Sequence, residues 1–584
     1  MSQPLRAPAP VVGLVHELVE YAAERHGERP YLLRWTGGTW SGYTFASAAR
    51  AVSAFAALLE REGVRPGMRV GLQSDNRPEW GLAYFAVLAV GAVVVPLDPQ
   101  LRERELGELL AAAEATHAIG DAHHLPLLDG ARLARRPALR LVSLDPDAGV
   151  PYWDQAQREF PDVEPPDPFS RMGAPRAEPH DLAVLLFTSG TTGQAKGVML
   201  SHANLLSNVE AVVRALEFGP TDRFLSILPL HHALESMGGL LCPLRVGASV
   251  CTARGLASRE LREDMSTSGA TLFIGVPLLY EKLMNAIDRG IGEAPWASRW
   301  LARGLLEVTR LLRRATGWRV GRALARPIRR RAGLDRLRMF VTGAAPFAHD
   351  VFWRYIDLGW PMLEGYGLSE ASPVVCANRP PNPSPGAVGW PLPGIEVRVD
   401  SPDAEGDGEL VVRGPNVMLG YWRQPALTAE VLHDGWLRTG DLGRVLPDGR
   451  VRITGRLKNM IATAAGKKIY PEEVELVLAN SPYVLEVMVT GGADGGTRAE
   501  RGSGEREEVH AHIYPNRPAL EALARSQGRP CDEAFVGQVL RAEVEARSEA
   551  LAPYKRVKKV IVRDSEFPKT TTGKIRRPPG GAED

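Results

Sequence analysis

Apolar positions near the start of the chain recur at two periods. Leu14, Leu18 and Ala22 fall on one side of a helix predicted over 14–25, and the same spacing predicts helices over 46–61 and 79–90. Short β-branched runs lie between or after them, at 69–72 and 92–96. The run 81–97 is 17 residues long and nearly all apolar, but Gly91 and Pro96 interrupt it. It is therefore read as a buried helix followed by a buried strand and not as a membrane span. Apolar strands are predicted again at 183–187, 223–228, 271–276 and 339–341. Helices alternating with such strands predict an α/β fold with parallel sheets.

The texture changes after Gly389. Runs at 395–399, 408–412 and 450–454 predict short antiparallel strands, with a turn at Pro447-Asp448-Gly449. From about residue 458 a helix (471–479) and two strands (486–490, 509–514) predict a small α+β unit. The Pro- and Asp-rich stretch 145–179 reads as a surface connection, and 491–508, rich in Gly, Arg and Glu, as a loop. The chain has 584 residues, too many for one core, so several packed subdomains are expected.

Composition narrows the function. A formal net charge of +1 gives no reason to expect nucleic acid as a partner. The four cysteines, Cys242, Cys251, Cys376 and Cys531, form no CxxC pair, which argues against a zinc site or disulfide scaffold and fits a reducing, cytoplasmic compartment. One stretch departs from the average. Residues 299–338 hold thirteen arginines, no lysine and only Glu307 and Asp335 as acids, with Trp300, Leu301, Leu305, Leu306, Val308, Leu311 and Leu312 on an apolar side. Two readings stand side by side: a basic amphipathic helix peripheral to an anionic membrane surface, or a solvated insertion whose arginines pair with acids elsewhere.

The chemistry concentrates in Thr188, Ser189, Gly190, Thr191, Thr192, Gly193 and Lys196, which follow an apolar strand. Four hydroxyls and three glycines in the ten residues 188–197 suit a phosphate cradle: glycine admits the anion to backbone N–H groups, and hydroxyls add donors. It is not a Walker loop, because Ala195 and Gly197 flank the lysine.

That order resembles the phosphate loop of the adenylate-forming superfamily, and further motifs of that family follow in sequence. Leu228-Pro229-Leu230-His231-His232 puts His232 at the acyl-pocket position; Gly343-Ala344-Ala345 is similar to the adenine-side loop. Tyr366, Gly367, Ser369 and Glu370 stand where the family packs a ring on adenine and binds magnesium through an acid. Asp441 and Arg456 match the ribose contacts, Lys458 the hinge, Gly466, Lys467 and Lys468 the loop on the thiol side, and Lys574 the terminal catalytic lysine. The resemblance covers roughly residues 10–577.

It implies a large N-terminal region (1–455) with parallel α/β sheets and a small β-rich subdomain, followed by a small mobile α+β domain (456–584). It implies ATP, Mg²⁺ and coenzyme A, and activation of a carboxylic acid to acyl-AMP followed by transfer to the thiol. Asp75-Asn76-Arg77-Pro78-Glu79-Trp80 and the Arg-rich insertion are similar to the long-chain fatty acyl branch, whereas the 568–577 ending is closer to short-chain and aryl ligases, and Ser369 replaces the more usual Thr. A fatty acyl-AMP ligase loading an acyl carrier protein, an aryl or short-chain ligase, and a non-catalytic binder with a broken motif set are the alternatives.

Overall fold

The structure, a computed structural model, describes residues 7–135, 139–146, 150–154, 177–188, 195–255, 258–317, 319–380, 383–462, 468–492, 508–569, 575 and 577. Most of 145–179, nearly all of 491–508, and residues 189–194, 463–467 and 570–574 lie outside that set.

Two large sheets carry the first part of the chain. In the nine-stranded sheet the order is Trp390–Pro391, Val374–Ala377, Met362–Gly367, Met339–Thr342, Leu272–Gly275, Arg223–Ser226, Ser249–Thr252, Pro30–Thr36, Thr39–Thr44. Its six central strands are parallel, as the alternation of helix and strand predicts; its edges are antiparallel. One of those edges was not foreseen. Pro30–Thr36 and Thr39–Thr44 form a hairpin across Gly37-Gly38, both at positive φ, and two such residues between β-rich runs are its sequence signal. The seven-stranded sheet runs Gly420–Tyr421, Lys196–Ser201, Leu182–Thr188, Val93–Pro96, Arg69–Gln73, Ala115–Gly120, Arg140–Ser143. The 81–97 run becomes the helix Pro78–Ala89, buried on every side, and the buried strand Val93–Pro96. That is why it lacks helical amphipathicity: both elements are covered all round.

The β-rich part is a five-stranded antiparallel sheet built on Glu396–Asp400, Gly408–Arg413 and the hairpin of Trp436–Val445 with Val451–Arg456. A three-stranded sheet (Val484–Gly492, Glu508–Pro515, Lys559–Val562) packs with the helices Pro471–Ala479 and Glu533–Ser548 around a hydrophobic core of its own. Three of the four cysteines are buried and none is paired. Among the described residues no helix is long and apolar enough to cross a membrane.

The Arg-rich segment is not one helix. Trp296–Thr316 stops at Gly317, in the left-handed conformation, and the chain continues through the short helices Gly321–Leu324 and Arg326–Arg331. Several of its arginines hold the fold together. Arg313 pairs with Asp357 at 2.6 and 3.0 Å, Arg338 forks onto Asp222 at 2.7 and 2.6 Å, and buried Arg329 donates to the carbonyls of Gly321, Arg322 and Leu358.

Candidate active site

In open α/β sheets ligands sit beyond the carboxyl ends of the strands, where strand order reverses. In the nine-stranded sheet that reversal falls beside Arg223–Ser226, which has Ser249–Thr252 on one side and Leu272–Gly275 on the other. The segments leaving these strands and their neighbours are the ones that carry the motifs: 227–235, 275–277, 343–346 and 366–372.

His231 and His232 lie in the first of these, their rings 4.1 Å apart. Burial and the neighbouring His232 hold His231 neutral, well below the usual imidazole range, with Nε2 3.6 Å from Asp98. His232 immediately precedes the turn Ala233–Glu235, which runs into the π-helix Ser236–Leu241. Glu235 is buried there and folds back over Gly239; a methyl group on Gly239 would stand 2.3 Å from its Oε1. Burial pushes the Glu235 carboxyl up to about 8, so it is neutral at pH 7.

Met339–Thr342 delivers Gly343, Ala344 and Ala345. Gly343 comes close to the backbone of Gly365, and Ala344 takes a left-handed φ of 73°, uncommon for a residue with a side chain. Met362–Gly367 delivers Tyr366 and Gly367. A methyl group on Gly367 would lie 1.9 Å from the Pro373 carbonyl oxygen, so only glycine fits that turn. Ser369 and Glu370 form the short 3₁₀ turn that follows.

The β-rich sheet supplies the other wall. Asp441 and Arg456 are direct cross-strand partners in the Trp436–Val445 and Val451–Arg456 hairpin. Arg456 Nε donates to Asp441 Oδ1 at 2.8 Å, and the Tyr366 hydroxyl donates to Asp441 Oδ2 at 2.7 Å. Burial and the Asp441 charge keep the Tyr366 phenol far above its ordinary value, so it remains a donor. A carboxylate has about four acceptor positions, and two are used here. The buried Asp441 therefore keeps capacity for further donors, as a ribose diol would require.

Lys196 and Thr188 face each other across the antiparallel strands Leu182–Thr188 and Lys196–Ser201. Tyr421, on the short strand that pairs with Lys196–Ser201, joins this group: its hydroxyl donates to Glu370 Oε1 at 2.9 Å, and Lys196 Nζ lies 5.2 Å from its ring. The sequence reading missed Tyr421, because only the pairing of two distant strands places it there. Glu370 keeps its second oxygen clear of that bond, and one carboxylate alongside phosphate oxygens is the donor set Mg²⁺ favours. Another acidic group, Asp75, Asp121 and His124, does not offer such a set: His124 spends Nδ1 on Asp121 at 2.6 Å and Nε2 on the Pro99 carbonyl at 3.2 Å.

Thr188, Lys196, Tyr421, Glu370, Tyr366, Asp441 and Arg456 thus form one connected group, since Arg456 feels the charge of Glu370 as well as of Asp441, and His232, Gly343, Ala344, Ala345, Gly367 and Ser369 stand on segments at the strand ends. Ser189, Gly190, Thr191, Thr192, Gly193, Gly466, Lys467 and Lys574 lie outside the described residues, and of Lys468 only the backbone is described, opening the strand Lys468–Ile469. Both flanks of 570–574 are anchored. Lys569 pairs with Ile575 as an isolated bridge and reaches Glu486 and Glu566, while Arg577 donates to Glu475 at 2.5 Å and to the Val489 carbonyl at 2.9 Å.

Residues 19–422 match the family model described as AMP-binding enzyme. The chain belongs to the AMP-binding enzymes. It is 33% identical over 515 residues to the long-chain-fatty-acid–CoA ligase FadD15 of Mycobacterium bovis, covering 84% of this chain and 82% of that one. It is also 33% identical over 466 residues to a feruloyl-CoA synthase of an Amycolatopsis species, covering 78% and 82%. Its fold is similar to the crystal structure of the anthranilate CoA ligase AuaEII in complex with anthranoyl-AMP, with a TM-score of 0.75, 23% identity and coverage of 97% and 96%. As an AMP-binding enzyme of this kind, the chain is an AMP-forming acid–thiol ligase whose substrates are ATP, a carboxylic acid and coenzyme A, with Mg²⁺.

Proposed function

We propose that the acid is a long- or medium-chain fatty acid, activated to acyl-AMP with release of pyrophosphate and then passed to coenzyme A. The observation that carries the site assignment is the convergence of Tyr366 and Arg456 on the two oxygens of buried Asp441, because it joins three separate motifs at one carboxylate. The fatty acid class rests on FadD15, a long-chain ligase by name. The feruloyl-CoA synthase, equally identical, supports an aryl acid as the second reading.

In the first step the acid's carboxylate attacks the α-phosphorus and pyrophosphate leaves; little proton transfer is needed, so positioning and charge stabilisation dominate. Asp441 accepts from the ribose hydroxyls, Arg456 steadies that carboxylate, and the Tyr366 ring packs on adenine. Thr188, Ser189, Gly190, Thr191, Thr192, Gly193 and Lys196 hold the outer phosphates. Glu370 would hold Mg²⁺, which would neutralise phosphate charge. Lys574 bridges the substrate carboxylate and the α-phosphate, and His232 sits at the mouth of the acyl pocket. Residues 456–584 act as a smaller unit that pivots at Lys458, so that Gly466, Lys467 and Lys468 line the thiol path. We place the enzyme in the cytoplasm, peripheral to an anionic membrane through the 299–338 segment. An acyl carrier protein in place of coenzyme A is the alternative acceptor.

The test is ATP-dependent pyrophosphate release across acids from acetate to oleate plus ferulate, with and without coenzyme A, in the wild type and Lys574→Ala. Release peaking with long acids is expected; a peak with ferulate establishes the aryl reading. Lys574→Ala should slow acyl-AMP formation about a hundredfold or more while affecting transfer from preformed acyl-AMP far less. Equal loss in both steps rules out the lysine's assigned role.

A further inference from the structure

The Trp296–Thr316 helix carries two faces of opposite character. One is packed: Thr309 is buried, Leu305, Leu306 and Leu312 are half-buried, and the helix rests on Pro277–Gly292 and His349–Asp357. Its roll is fixed by Arg313, which pairs with Asp357 and lies 4.2 Å from the Trp353 ring. The opposite face is apolar and open. Trp296 is 77% exposed, Trp300 76% and Leu311 62%, with Leu301 and Val308 about half exposed. At 100° per residue, positions 296, 300, 308 and 311 form one stripe, with 301 at its far margin. Arg303, Arg310 and Arg314, all exposed, line the other margin; Glu307, between Trp296 and Trp300 on the wheel, is the one acid of this face and sits 3.5 Å from Arg310.

An exposed stripe with two tryptophans is costly in water, and the packed face cannot rotate to cover it. Tryptophan beside arginine is the composition of interfacial helices: the indole straddles the headgroup boundary and the guanidinium meets phosphate. Three arginines to one paired glutamate fix the sign of the surface that would cover the stripe.

We propose that this helix docks the enzyme on an anionic phospholipid surface, lying in the interfacial plane with Trp296, Trp300, Leu301, Val308 and Leu311 in the acyl boundary and Arg303, Arg310 and Arg314 on lipid phosphates. This rests on the membrane reading above and narrows it to one helix face; Arg313, Arg329 and Arg338 are excluded, because they hold the fold. The helix it rests on, Pro277–Gly292, starts just past the Leu272–Gly275 strand, next to the point where the sheet's strand order reverses. A fatty acid partitioned into the bilayer would therefore leave it one helix away from the site.

The experiment is co-sedimentation of the full chain with vesicles of phosphatidylcholine alone or mixed equally with phosphatidylglycerol, at low and high salt, without ATP, acid or coenzyme A. The wild type should bind the mixed vesicles, weakly at high salt, and bind neutral ones poorly. Replacing Arg303, Arg310 and Arg314 by Gln should weaken binding on the order of a hundredfold, at about fivefold per arginine. Trp296→Ser with Trp300→Ser should weaken it roughly tenfold or more. Adenylation of a dissolved acid is measured in parallel: its loss with vesicle binding intact counts against the activity reading and leaves the docking face standing. Binding that is absent, equal on neutral vesicles, or unchanged in both variants overturns the proposal. So does a concentration-dependent dimer that Trp300→Ser dissolves, which would give the stripe to a second copy of the chain.

Discussion

Glu235 is a carboxylic acid with no exposed surface to speak of, and its Oε2 lies buried without a hydrogen-bond partner among the described residues. Its carboxyl is raised to about 8, whereas in the unfolded chain it titrates near 4.5. Between those values the unfolded state holds fewer protons than the folded one. The stability it contributes is therefore complete below pH 4.5 and is lost as pH rises towards 8, at about 1.4 kcal/mol per pH unit. Glu364, beside the site, behaves in the same way, also raised to about 8 by burial. Glu235→Gln keeps the shape and removes the titration. Urea midpoints from pH 5 to 8 should fall less steeply in that variant than in the wild type; parallel slopes would mean that Glu235 is not held neutral. Sequence marks Glu235 only as an acid near two histidines. Its neutrality comes from the Gly239 gap it fills and the walls around it.

At the scale of elements, the helix His202–Leu216 fastens the turns that carry the site. Asn208 exchanges two hydrogen bonds with the backbone of Val374, at 2.7 and 3.1 Å, and Asn204 donates to the carbonyls of Pro415 and Val417 at 2.7 and 2.9 Å. Val374 follows the Glu370 turn, and Val417 precedes the strand that bears Tyr421. Asn208→Ala leaves a buried N–H and C=O unpaired, at a cost of about 2–4 kcal/mol. It should show as an earlier urea midpoint together with weaker ATP binding, and Asn208→Asp, which keeps the acceptor, should fall between. An unchanged ATP KM in the alanine variant would separate this clamp from the site. Helical spacing predicts the helices over 46–61 and 79–90, whereas His202–Leu216 was not foreseen, and nothing local shows that two asparagines reach other segments far along the chain.

For the whole molecule, the question is how its separate hydrophobic cores work together. The C-terminal core, built on Val474, Leu478, Val489, Ile513 and Leu540, meets the preceding part around the Leu457–Asn459 turn, where Asn459 donates to Glu472 at 2.5 Å and Gly455 packs on Tyr470. Glu566, near the start of the terminal motif, feels the charge of Lys282 on the Pro277–Gly292 helix. A pivot at Lys458 requires this turn to change its backbone angles. Lys458→Pro fixes one of them, and it should reduce acyl transfer from acyl-AMP roughly tenfold while changing acyl-AMP formation far less. Equal effects on both steps would remove the pivot from this residue.

Apolar period alone located those helices and strands whose buried side is written in their own residues: 471–479 is the helix Pro471–Ala479, and 408–412 lies within the strand Gly408–Arg413. Motif order alone named Asp441, Arg456, Tyr366 and Glu370. Only tertiary structure decided how they meet, since sheet order and register depend on contacts between distant segments. It set the Tyr366 hydroxyl on Asp441, brought the unforeseen Tyr421 to Glu370, and gave the nine-stranded sheet its antiparallel edges. It also divided the arginines of 299–338. A guanidinium that neutralises Asp357 and one that faces solvent look the same in sequence, and they separate only when the packing fixes which side of the helix is in.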